Sequence, residues 1–100
     1  MNQMLMELWS EHSVARFPKG YGGTDVNGIC VSSLDTYATG CISTYVGKNS
    51  GHLDVERFLI LQKCQKELAL ILPDVDKKAY EYFNRLHQLC LLVIDEAVIQ

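Results

Sequence analysis

Four thiols and three imidazoles are the side chains best suited to nucleophilic or metal chemistry: Cys30, Cys41, Cys64 and Cys90, with His12, His52 and His87. A Cys-His nucleophile needs a partly exposed thiolate beside an imidazole that a third group orients. Cys64 or Cys90 with His87 are the nominal pairs, with Asp95 or Asp35 as the orienting carboxylate. Both thiols fall on or beside apolar seams, where sulfur simply fills space. His87 and Cys90 stand one helical turn apart, so their closeness is automatic and carries no information. The four thiols are therefore expected to be buried and inert, and no catalytic residue is assigned. No two histidines are three or four apart, and neither His-Glu-x-x-His nor Cys-x-x-Cys occurs. On that spacing no metal site and no cofactor is expected.

Binding chemistry has one clear address. Pro18-Lys19-Gly20-Tyr21-Gly22-Gly23-Thr24 is a glycine-rich loop with Arg16 just before it. A P-loop needs Gly-Lys-Ser/Thr leading into a helix, and Lys19 lies on the wrong side. Amides of such a loop near a helix start can nevertheless hold an anion. Asp35, beside an apolar stripe, reads either as a first-turn acid on helix amides or as a carboxylate facing a cleft with Arg16 or Arg85. The candidate ligand-binding residues are Arg16, Tyr21, Asp35 and Tyr37.

Helices must position these groups. Leu5, Leu8, Trp9 and His12 mark one face of a first helix, capped by Asn2 and ended before Phe17-Pro18. Residues 25–47 admit two readings. Val26-Asn27-Gly28-Ile29 suits a hairpin, while apolar residues at 31, 34, 38, 41 and 45, widened by Tyr37, Ile42 and Val46, follow helical steps. Period two would mix Leu34 and Ala38 with Thr36 and Gly40, so a helix is predicted, starting between Asp25 and Ser33. Ser32 with Asp35 fits a capping box, and Ala38 and Gly40 would let a neighbouring helix come close. A glycine in Gly47–Gly51 is placed to end this helix. Asp54 caps a third helix with a seam at Val55, Phe58, Leu61, Gln65, Leu68 and Leu72, stopped by Pro73. Asp74 or Asp76 caps the last, whose seam is Ala79, Phe83, Leu86, Cys90, Val93 and Ala97. The expected fold is all-α: a compact antiparallel four-helix bundle in a single domain.

Several segments also resemble a group of short bacterial proteins without assigned activity. They are Leu34-Asp35-Thr36-Tyr37-Ala38-Thr39-Gly40-Cys41, the Gly51-His52-Leu53-Asp54 turn, Ile71-Leu72-Pro73, and Tyr82-Phe83-Asn84-Arg85-Leu86. Arg16-Phe17-Pro18 and Gly22-Gly23 belong to the same pattern, which covers most of the chain from Arg16 onward. The resemblance implies a helical fold and an accessory role of the kind carried on mobile gene cassettes. It brings no activity, cofactor or catalytic residue.

Composition narrows the function classes. The 100 residues are 48% hydrophobic and carry a formal charge of −3. Residues 1–50 hold three basic and four acidic groups, and residues 51–100 six and eight. No basic face emerges, which argues against nucleic acid and against an anionic membrane. Lys77, Lys78 and Asn84 could serve a helix-turn-helix at Pro73-Asp74, but Asp74, Asp76 and Glu81 oppose it. The opening residues make no secretory signal and the longest apolar run, Leu89–Ile94, is too short to cross a bilayer, so a cytoplasmic protein is expected. That run is apolar on every side, as in a central helix or one buried against another chain. The leading expectation is a non-enzymatic interaction module, forming a homodimer or docking on a protein partner. The alternative is a small-molecule-binding protein or minor enzyme with a pocket near the glycine-rich loop and Asp35.

Overall fold

In the computed structural model, which describes residues Met1–Gln100, four α-helices carry the fold: α1 (Gln3–His12), α2 (Val31–Lys48), α3 (Val55–Ile71) and α4 (Lys77–Glu96). Three starts are capped as their sequences dictate. Asn2 accepts from the amide of Leu5, Asp54 from that of Arg57 and Asp76 from that of Ala79, each satisfying a helix N–H that has no partner within the helix. α1 stops at His12, well before Phe17-Pro18, with the Ser13 hydroxyl bonded back to the Ser10 carbonyl at 3.2 Å. At the far end of α2 the left-handed residue is Asn49, φ 49°, and not a glycine. Its side chain tolerates that region better than most, and its amide reaches the Tyr45 and Val46 carbonyls.

The contested stretch is both things in turn. β1 (Asp25–Val26) pairs antiparallel with β2 (Ile29–Cys30), joined by Asn27 and Gly28 at φ 51° and 78°. Two successive positive φ values make the primed turn whose twist matches its strands. Asn27 also donates to the Leu70 carbonyl at 2.9 Å and to Asp74 at 2.8 Å, which fastens the hairpin to the end of α3. α2 then begins at once, within the expected range, but the Ser32 capping box does not form. Ser32 Oγ instead accepts from the Gly23 amide at 3.1 Å, and the residue preceding the helix is Cys30.

A second pair, β3 (His52–Leu53) with β4 (Val98–Ile99), is parallel and ties the chain's end to the α2–α3 turn. The fold is thus mainly helical with two small sheets, and not all-α.

α2, α3 and α4 pack against one another, and the short α1 lies chiefly on α4. The core seam of α2 is as its periodicity predicts, with Val31, Leu34, Ala38, Cys41, Ile42 and Tyr45 buried. Gly40 faces outward, where a Cβ would meet nothing within 4 Å, so it is not a helix-contact residue. On α3 the expected Leu61 and Leu68 are buried and Phe58 and Leu72 pack against the core; Cys64 and Ile71 join them, whereas Val55 is exposed. α4 buries Ala79, Tyr82, Phe83, Leu86, Leu89, Cys90 and Val93. No helix is long and apolar enough to cross a membrane.

Candidate functional site

The β1–β2 turn delivers Cys30 to the start of α2, beside a recess of about 410 Å³ between α2 and α3. Six of its ten lining residues are hydrophobic, among them Ile29, Leu34, Tyr37 and Ile60. Ser33, Lys63 and Glu67 add polar groups, and the buried Cys64 is a second thiol in the wall. Tyr37, 61% exposed, keeps its ring at the mouth.

Cys30 is an exposed thiol with local support for its charged form. The Ser33 hydroxyl donates to Sγ at 3.3 Å. That bond, with the amides of Ser33 and Ser32, lowers the thiol's pKa below its ordinary value, although neither amide closes a full capping bond. Asp25, its partner across the strand pair, opposes this weakly. A thiolate at a helix start is the nucleophilic form of cysteine. The other three thiols go the opposite way: burial raises Cys41, pushes Cys64 up to about 11, and raises Cys90 most. Three of the four thiols are buried as expected; Cys30 is exposed. Its signal in the sequence was the run Cys30-Val31-Ser32-Ser33, a thiol preceding a helix with a hydroxyl three residues on. Placing the cap at Ser32 hid it.

The four expected ligand residues do not converge. Tyr37 belongs to the thiol-lined recess. Asp35, two positions earlier and so on another side of α2, accepts from the Tyr82 hydroxyl at 2.6 Å. Burial raises the Asp35 pKa; the Tyr82 bond favours the charge, as does the Thr39 hydroxyl, which makes no bond of good geometry. Tyr21 is structural: its hydroxyl donates to Asp76 Oδ2 at 3.2 Å and accepts from the Asp76 amide at 3.0 Å, while its ring meets Phe83 edge-on. Arg16 borders a separate recess with Lys19, Lys78 and Tyr82.

The remaining candidates are engaged elsewhere. Arg85 does not meet Asp35. It donates to His12 Nδ1 at 2.9 Å and to Glu11 at 3.1 Å, with its guanidinium 5.8 Å from the Tyr82 ring centre. His87, lowered by burial, has no partner at Nε2, and no hydrogen bond joins it to Cys64 or Cys90. No three of His, Cys, Asp and Glu converge as a metal would require.

No family model, curated protein or solved structure matches this chain.

Proposed function

We propose that the protein binds a small, largely apolar molecule in the recess between α2 and α3, and that Cys30 can bond covalently to an electrophilic carbon of that ligand. One observation carries the reading: a thiol with a lowered pKa stands in the wall of a mostly apolar recess. Its sulfur would add to the β-carbon of an α,β-unsaturated carbonyl: the S–C bond forms as the C=C π bond breaks, that electron pair passes to the carbonyl oxygen, and the α-carbon then takes a proton from water, with Ser33 stabilising the thiolate beforehand. No histidine lines the recess, and its titratable groups besides the thiols are Tyr37, Lys63 and Glu67. Binding and capture fit this arrangement better than turnover. The proposed pocket lies on the other side of α2 from Asp35.

Alkylation of the folded protein with iodoacetamide across pH, read by mass spectrometry, tests this. Cys30 should react first, with a half-maximal rate below the pH typical of a free cysteine, about 8.5. Occupying the recess with an apolar ligand should slow it. Cys30→Ser should leave only thiols that react on unfolding. A Cys30 no faster than an unstructured thiol would end the proposal.

Self-association is the second reading, and a different surface now supports it. The apolar run of α4 gives Leu89, Cys90 and Val93 to the protein's own core, leaving Leu91 outside. On α3, however, Val55 and Leu59, one turn apart, are 50% and 56% exposed, and Leu70, 60% exposed, lies further along the same side beyond Lys66. Such a face suits a symmetric contact with a second copy.

A further inference from the structure

We propose that the recess among Arg16, Lys19, Lys78 and Tyr82 is a binding site for a small phosphate-bearing anion. It is distinct from the thiol-lined recess and shares no residue with it. Its volume is about 330 Å³, with Phe17 and Pro18 forming an apolar side.

The charges are the first reason. Three of the lining residues are cations, and none of them is in an ion pair; the protein's two ion pairs are Arg57–Asp54 and Arg85–Glu11. Asp76 is the one acidic lining residue, and both its oxygens are taken, Oδ1 by the Ala79 amide and Oδ2 by the Tyr21 hydroxyl. A chain of net charge −3 thus gathers an excess of two positive charges in one concavity.

Placement is the second reason. Lys77 and Lys78 open α4, whose first turn contains no acid. The start of a 20-residue helix is the positive end of its dipole, where cations are disfavoured and anions favoured. Arg16 and Lys19 add like charge to the same spot. Asp76, the N-cap of α4, offsets one of the three positive charges lining the recess, and a doubly charged phosphate would offset the other two. Phosphate suits it better than a carboxylate because its charge near neutrality is about −1.5 to −2. Its oxygens also match the planar fork of Arg16. Of the glycine-rich loop, the amides of Tyr21, Gly23 and Thr24 are already bonded within the protein.

Calorimetric titration of the full chain with inorganic phosphate, phenyl phosphate and acetate is the experiment. Both phosphates should bind saturably and acetate at least tenfold more weakly. Phenyl phosphate binding tighter than inorganic phosphate would identify an ester resting on Phe17 and Pro18; equal affinities would identify the free ion. The double change R16A/K78A should weaken phosphate at least tenfold, whereas K66A, on the exposed side of α3, should not. Arg16 and Lys78 are exposed and unpaired, so R16A/K78A should keep or raise its melting temperature in phosphate-free buffer. Equal affinity of the wild type for acetate and phosphate, or equal weakening by K66A, would overturn the proposal.

Discussion

His12 shows how one side chain can be fixed by its neighbours in a way that its own type does not reveal. It is 3% exposed, its ring lies 4.5 Å from that of Tyr82, and Nδ1 accepts from Arg85. The proton therefore sits on Nε2, which is buried without a partner. Burial first, and then the Arg85 charge, lower its pKa from 6.5 to about 4. Between those values the unfolded chain binds a proton that the folded one refuses, so stability falls as pH drops through that window. The loss should approach about 3 kcal/mol. Asp35 acts with the opposite sign, because its raised pKa lets the folded form hold a proton that the unfolded form releases. Urea denaturation of the wild type against His12→Gln, at pH 7 and pH 4.5, isolates the imidazole: the variant should lose less stability on acidification. Equal losses would mean that His12 titrates normally. Cys30 is the complementary case, since its residue type, exposed and hydroxyl-supported, was readable from Cys30-Val31-Ser32-Ser33 once the helix start was known.

Elements were legible where one interaction decides them. Asn2, Asp54 and Asp76 cap because each accepts from an amide three residues on, a wholly local geometry. The α2 seam was legible because six buried positions repeat at helical steps. The cap of α2 was not, because Ser32 found a partner, the Gly23 amide, that no spacing rule names. Gly40 makes the distinction measurable. It lies inside α2 with open space where a Cβ would go, so Gly40→Ala should stabilise the protein by about 1 kcal/mol through helix propensity alone. A rise in the denaturation midpoint checks this; a fall would mean that the position is covered by something pressing on it.

For the whole molecule, the central element is α4, which touches each of the other helices. Glu96 at its end accepts from the Tyr45 hydroxyl at 2.7 Å and from the Asn2 amide at 2.9 Å, joining α2 and the N-terminus to it. The apolar stretch that suggested a partner is mostly absorbed by this central position, and the unpartnered surface lies on α3 instead. If α3 supports a dimer, light scattering across dilution should give twice the monomer mass at high concentration, and Leu59→Lys should abolish it. A monomer at every concentration would retire that reading.

Sequence alone determined the helices, most of their caps and most of the three long seams, because hydrogen bonding and burial periodicity act over a few residues of one chain segment. Tertiary structure decided everything that depends on which segments meet. It set the edges of the α3 seam, brought Ser32 to Gly23 and Tyr82 to Asp35, placed Lys78 beside the Arg16–Lys19 segment, and left one thiol of four in the open. Those outcomes are set by contacts between residues far apart in the chain, and no periodicity records a neighbour that lies on another element.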